Sequence, residues 1–282
     1  MTYSQLTDQI FQKQSYLCVG LDTDARRLPR HLLTEPDPVF AFNRAIIDAT
    51  ADFAVAYKPN IAFYEAQGPR GWESLQRTLD YIPAGCLTIA DAKRGDIGNT
   101  SGLYARAFFD PSAAGLNFDA ITVAPYMGHD SVRPFLDYPG KWVILLALTS
   151  NSGSADFQRQ PTGEQELFET VIQTAQSWAG PDRLMFVVGA TQAGELARIR
   201  ELAPDNFLLV PGVGAQGGSL ADVSRHGLTK DGGLLVNASR SILYASDGTD
   251  FADRARAEAQ ALQTEMATYL QAMNRSAGAD EW

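Results

Sequence analysis

The sequence predicts an α/β fold, a single (β/α)8 barrel of the TIM type with extra helices at both ends. Short apolar runs recur eight times along the chain, helix-like stretches separate most of them, and polar or Gly-rich residues follow most of them. Runs that are apolar on both faces suit fully buried parallel strands. Their alternation with helices implies right-handed crossovers and a parallel sheet, and eight such units close on themselves. The chain has 282 residues, 45% of them hydrophobic, which is enough for one barrel domain.

A helix over 3–13 precedes the first strand. Strands are predicted at 16–21, 54–57, 86–90, 120–124, 142–148, 184–188, 207–210 and 234–236. Helix-like stretches lie at 37–50, 71–80, 100–108, 162–178 and 190–202. The polar segment 150–163 after the fifth strand reads as a longer loop. The barrel core spans about 16–245, an amphipathic helix at about 250–273 closes the chain, and 274–282 is a frayed tail. No low-complexity linker divides the chain, so residues 1–282 are expected to form one domain.

The net charge of −10 argues against a general nucleic-acid binder. It leaves room for an anionic small molecule, because a local cationic cluster can overrule the global sign. No run is long and apolar enough to span a membrane, and the N-terminus lacks a basic-then-apolar leader. Cys18 and Cys86 both lie in strand-like runs and read as buried free thiols, so a cytoplasmic location is expected.

The densest chemistry is Asp91-Ala92-Lys93-Arg94-Gly95-Asp96, which follows the third apolar run. Side chains alternate along a strand, so Asp91 and Lys93 point the same way. Buried charges are costly unless paired, so a charge array at a strand end suggests a working site rather than packing. Asp22 follows strand one, and Lys58 and Asn60 follow strand two. Thr149, Ser150 and Asn151 follow strand five, Pro211 to Gly218 follows strand seven, and Asn237, Ser239 and Arg240 follow strand eight. In a barrel these groups converge on the C-terminal face, where active sites form.

Taken singly, Asp22 and Lys58 could be caps or solvated turn residues, and Ser150-Asn151-Ser152-Gly153 is ordinary turn chemistry. The Gly-rich run lacks the Lys-Ser/Thr ending of a P-loop and the spacing of a dinucleotide fingerprint. It still suits a phosphate or a closing lid, and loops after strands seven and eight are a frequent phosphate site in barrels. His31, His129 and His226 have no metal-like spacing, and no Cys/His cluster for zinc is present.

Asp91, Lys93, Asp96, Ile97 and Thr100 form Asp-x-Lys-x-x-Asp-Ile-x-x-Thr, and residues 211–218 read Pro-Gly-Val-Gly-Ala-Gln-Gly-Gly. With Gly20-Leu21-Asp22 and Lys58, this pattern resembles the orotidine 5′-phosphate decarboxylase family, in its longer bacterial branch (type 2). The resemblance runs from about Gly20 to Arg240. It implies decarboxylation of orotidine 5′-monophosphate to uridine 5′-monophosphate in pyrimidine biosynthesis, with no cofactor and no metal.

The resemblance also implies roles. Lys58, Asp91, Lys93 and Asp96 would form an alternating charge network, with Lys93 stabilising and protonating a C6 carbanion. Asp96 and Thr100 would reach the neighbouring subunit's site, making a homodimer with shared active sites. Asp22 and Lys58 would contact the ribose, and Ser150 the pyrimidine. Gln216 and Arg240 would hold the phosphate, with backbone groups near Gly217 and Ser239. Asn60 and Pro211 complete the expected substrate contacts. Many relatives carry Gly where this chain has Ser239. The competing expectations are a magnesium-dependent sugar-phosphate decarboxylase or synthase of the same superfamily, and a silent nucleotide-binding barrel.

Overall fold

The computed structural model describes residues 1–189, 193–213 and 218–277. Eight parallel strands close into a barrel: β1 (Leu17–Leu21), β2 (Ala54–Pro59), β3 (Leu87–Arg94), β4 (Ala120–Val123), β5 (Trp142–Leu148), β6 (Leu184–Val188), β7 (Leu208–Pro211) and β8 (Leu234–Ala238). Each strand pairs with its sequence neighbours, and β8 closes the ring on β1, for example Cys18 opposite Asn237. The expected fold class is therefore observed. β1, β2, β6 and β8 are buried along their whole length, as parallel strands covered by helices should be.

Around the barrel lie α1 (Tyr3–Lys13), α2 (Pro38–Thr50), α3 (Pro69–Tyr81), α4 (Gly98–Phe109), α5 (His129–Leu136), α6 (Leu167–Gln176), α7 (Ala193–Leu202), α8 (Leu220–Gly227) and α9 (Phe251–Ala277). Several departures from the sequence reading have local causes. β3 runs on to Arg94, so Asp91 and Lys93 lie within the strand and not after it. The helix expected over 162–178 starts only at Leu167, because a two-stranded ribbon, Pro161–Thr162 with Gln165–Glu166, occupies its first residues. The loop before it holds a short helix, Ser154–Phe157. α9 continues to Ala277, past the expected end at 273 and into the segment read as frayed.

The terminal helices have distinct duties. α1 covers the barrel floor: Leu6 and Ile10 are buried, and Lys13 Nζ donates to Ala51 O (2.8 Å) and Ala54 O (2.7 Å) beside the start of β2. Thr2 and Gln5 close a capping box at its start. α9 packs on the barrel wall through Ala255, Ala259, Met266 and Leu270, all fully buried at helical spacing. Phe251 stacks on Phe42 of α2, with ring centroids 5.1 Å apart. Each large side chain buried in this way contributes about 1.5–3 kcal/mol.

Candidate active site

The C-terminal ends of the strands surround a cavity of about 310 Å³. Its wall takes Asp22 from the end of β1, Lys58 from β2, Asp91 and Lys93 from β3, and Thr122 from β4. Ser150 comes from the β5 loop, Pro211 from β7, Asn237 from β8, and Ser239 and Arg240 from the turn after β8. Leu146, Val187 and Leu209 add an apolar side.

Asp91 is the hub. Its Oδ2 accepts from Lys58 Nζ (2.7 Å), and its Oδ1 accepts from Lys93 Nζ (2.5 Å) and from Thr122 Oγ1 (3.1 Å). Asp91 is 9% exposed and Lys58 4%, whereas the Lys93 side chain is 52% exposed. Burial alone would raise the Asp91 pKa, but the Lys58 and Lys93 ammonium groups hold it well below the usual carboxylate range. Burial opposes the charge on Lys58, yet Asp91 and then Asp22 push its pKa up. Both members of this buried pair are therefore ionised, and the ammonium of Lys93 sits at the cavity wall against a fixed carboxylate.

Backbone geometry sharpens the array. Lys93 has φ 47°, in the left-handed region that costs a non-glycine residue about 1 kcal/mol. The register between β3 and β4 shifts between Ala90 and Arg94, so this stretch bulges out of the regular ladder. Close approaches shape two other walls. A Cβ on Gly20 would lie 2.9 Å from both Asn237 Oδ1 and Ser239 Cβ. A Cβ on Gly189 would lie 2.8 Å from the Ser150 nitrogen, so glycine there admits the Ser150 turn.

Some predicted residues serve partly as scaffold. Asn60 lines the cavity, but its Oδ1 also caps the short helix Ile61–Glu65 by accepting from Ala62 N (3.3 Å). Asp22 Oδ1 and Ser239 Oγ are buried at the cavity without a hydrogen-bond partner among the described residues, and so offer unused polar atoms to a ligand. Arg240 is exposed at the start of the short helix Arg240–Leu243.

Asp96 and Thr100 are not brought to this cavity. Asp96 Oδ1 accepts from Ile97 N (2.7 Å), and Thr100 is exposed in the first turn of α4. Gln216 and Gly217 lie outside the described residues, as does half of the expected lid at 211–218; its described ends meet where Gly218 N donates to Gly212 O (3.3 Å). Thr122 escaped the sequence reading. Its only signal was a lone hydroxyl in a four-residue apolar strand, which also fits ordinary β-branched filling.

This geometry, two neighbouring strands presenting Lys, Asp and Lys to one polar cavity, can stabilise negative charge developing on a bound molecule without moving a group. Residues 15–255 match the model of the "Orotidine 5′-phosphate decarboxylase / HUMPS family". The chain is 59% identical over 274 residues to orotidine 5′-phosphate decarboxylase of Christiangramia forsetii, covering 96% of this chain and 99% of that one. Among solved structures, OMP decarboxylase of Leishmania donovani superposes with a TM-score of 0.78 at 37% identity, covering 94% of this chain and 99% of that one. UMP synthase of the same organism gives 0.79 at 40% identity, with 92% of this chain matched to 56% of that longer one. The chain belongs to the orotidine 5′-phosphate decarboxylase family.

Proposed function

We propose that this chain forms one domain that converts orotidine 5′-monophosphate to uridine 5′-monophosphate and carbon dioxide, with Lys93 as the group that meets C6. The observation that carries the reading is the buried Lys58–Asp91 pair holding the Lys93 amine at the cavity wall. Breaking the bond between C6 and the carboxylate leaves an electron pair on C6, in the ring plane. A pre-placed ammonium lowers the energy of that charge as it develops, and no reorganisation is needed at the moment of reaction. Lys93 then gives a proton to C6 and regains one from water, to which its side chain is half open. Asp91 keeps Lys93 in place and faces the departing carboxylate.

The remaining wall suits a nucleotide. Asp22, with its unused Oδ1, and Lys58 take the ribose hydroxyls, and Ser150 takes the pyrimidine edge, with Asn60 and Pro211 beside them. Arg240 takes the phosphate together with Gln216 and Gly217, and Ser239 Oγ supplies a donor where many relatives have glycine. We place the reaction in the cytoplasm, a reading supported by two buried free cysteines. Among the described residues no helix is long and apolar enough to cross a membrane.

The working unit in this reading is a homodimer in which Asp96 and Thr100 complete the partner's site. Support comes from their surroundings: Ile97 (61% exposed) and Leu103 (63%) flank both residues in the chain, and Met127 (42%) lies against Gly95, so apolar surface is open beside them. The direct test adds orotidine 5′-monophosphate to pure protein and follows the loss of the substrate's absorbance together with carbon dioxide release. Turnover that persists in excess chelator is expected. No turnover, or turnover only with added magnesium, contradicts the proposal.

A further inference from the structure

The peptide unit joining Ala92 to Lys93 sits in the β3 bulge, between the registered pairs Ala90–Ile121 and Arg94–Val123. Both of its polar ends are held by side chains. The Lys93 N–H donates to Thr122 Oγ1 (2.9 Å), and the Ala92 carbonyl accepts from Arg94 Nη1 (3.0 Å). Thr122 uses its own proton on Asp91 Oδ1, so one hydroxyl ties the Lys93 backbone to the carboxylate that holds the Lys93 amine. Arg94 is fixed in turn: its Nη2 donates to Glu65 Oε1, and its guanidinium lies over the rings of Tyr104 (5.4 Å) and Phe108 (5.6 Å).

We infer that Thr122 and the Arg94–Glu65 pair are positioning residues that clamp the Ala92–Lys93 peptide in its left-handed turn and thereby aim the Lys93 amine. The inference rests on the proposed role of Lys93. The physical reason is that a left-handed non-glycine residue relaxes unless its surroundings over-determine it. A relaxed Lys93 would swing its long side chain away from Asp91, and a displacement of about 1 Å in a reacting group can cost on the order of 100-fold in rate. None of the three residues needs to touch substrate for this effect.

The test compares Thr122→Val, Thr122→Ser, Arg94→Ala and Glu65→Ala with wild type and with Lys93→Ala, measuring kcat and the Kd of uridine 5′-monophosphate. Thr122→Val and Arg94→Ala are expected to lose about 10- to 100-fold in kcat with product Kd changed less than about threefold. Thr122→Ser, which keeps both hydrogen bonds, is expected to recover most of the loss, and Glu65→Ala to show a smaller one. If Thr122→Val is insoluble, Arg94→Ala and the surface change Glu65→Ala decide. The clamp is refuted if Thr122→Val and Arg94→Ala keep wild-type kcat, or if Thr122→Ser is as impaired as Thr122→Val. A Lys93→Ala protein with wild-type kcat would instead overturn the underlying functional reading.

Discussion

Asp91 accepts from Lys58, Lys93 and Thr122, and this arrangement has a pH signature. Its folded-state pKa is depressed, so the stability it brings is complete above the unfolded carboxylate value of about 3.9 and is lost as pH falls through the folded value. Lys58 has the opposite sign. Its pKa is raised, so its contribution is complete below the unfolded value of about 10.4 and is lost as pH rises through the folded one. Asp91→Asn leaves a buried ammonium short of its partner and is expected to cost about 3 kcal/mol. Urea unfolding should show that difference flat between roughly pH 5 and 8 and shrinking below about pH 4. A difference that grows towards acid would mean Asp91 is not the ionised partner. At this scale the sequence showed which residue types converge, because Asp22, Lys58, Asp91 and Lys93 each follow closely on an apolar run. It did not show Thr122 at the hub or the left-handed Lys93, since a hydroxyl in a strand and a backbone angle leave no mark in composition.

Strands were the legible elements, because each is a short run with apolar residues on both faces. Short helices were not. Ile61–Glu65 has only five residues, and α5 carries Pro134 inside it. α8 opens close behind the Gly-rich run, which masks its periodicity. One element-scale pin is Arg200 on α7. Its guanidinium donates to Gly227 O (2.7 Å), Gly233 O (2.9 Å), Ala203 O (2.7 Å) and Asn206 O (2.7 Å), tying α7 to the C-terminal end of α8 and the start of β8. Burial pushes its pKa down to about 10. Arg200→Met strands these carbonyls and is expected to cost about 3–5 kcal/mol, or roughly 6–15 °C in Tm. Its kcat at low temperature should stay near wild type, because Arg200 does not line the cavity. A second prediction concerns the wall between β5 and β6. Gly189→Ala would drive a methyl into Ser150 and should lower kcat/KM about tenfold. An unchanged kcat/KM would show that the Ser150 turn is not held by that contact.

At the scale of the whole molecule, a chain of net charge −10 gathers Lys58, Lys93 and Arg240 at one cavity, which suits an anionic nucleotide. The barrel could be read from the order of the elements, but an assembly has no periodicity in the sequence. In the proposed homodimer, Asp96 and Thr100 serve the partner's site. Mixing Lys93→Ala with Asp96→Ala subunits should therefore restore activity, since half of randomly re-formed dimers are hybrids with one of two sites intact. About a quarter of wild-type activity is expected. Mixtures that stay inactive while hybrids demonstrably form would place Asp96 outside the partner's site. The most direct test of the central claim is the turnover of orotidine 5′-monophosphate by Lys93→Ala, with uridine 5′-monophosphate binding measured on the same protein. If Lys93 stabilises and protonates C6, kcat falls by at least about 1,000-fold while product binding changes by less than about tenfold. Retention of kcat within about tenfold of wild type, in a protein that still binds product, would contradict it.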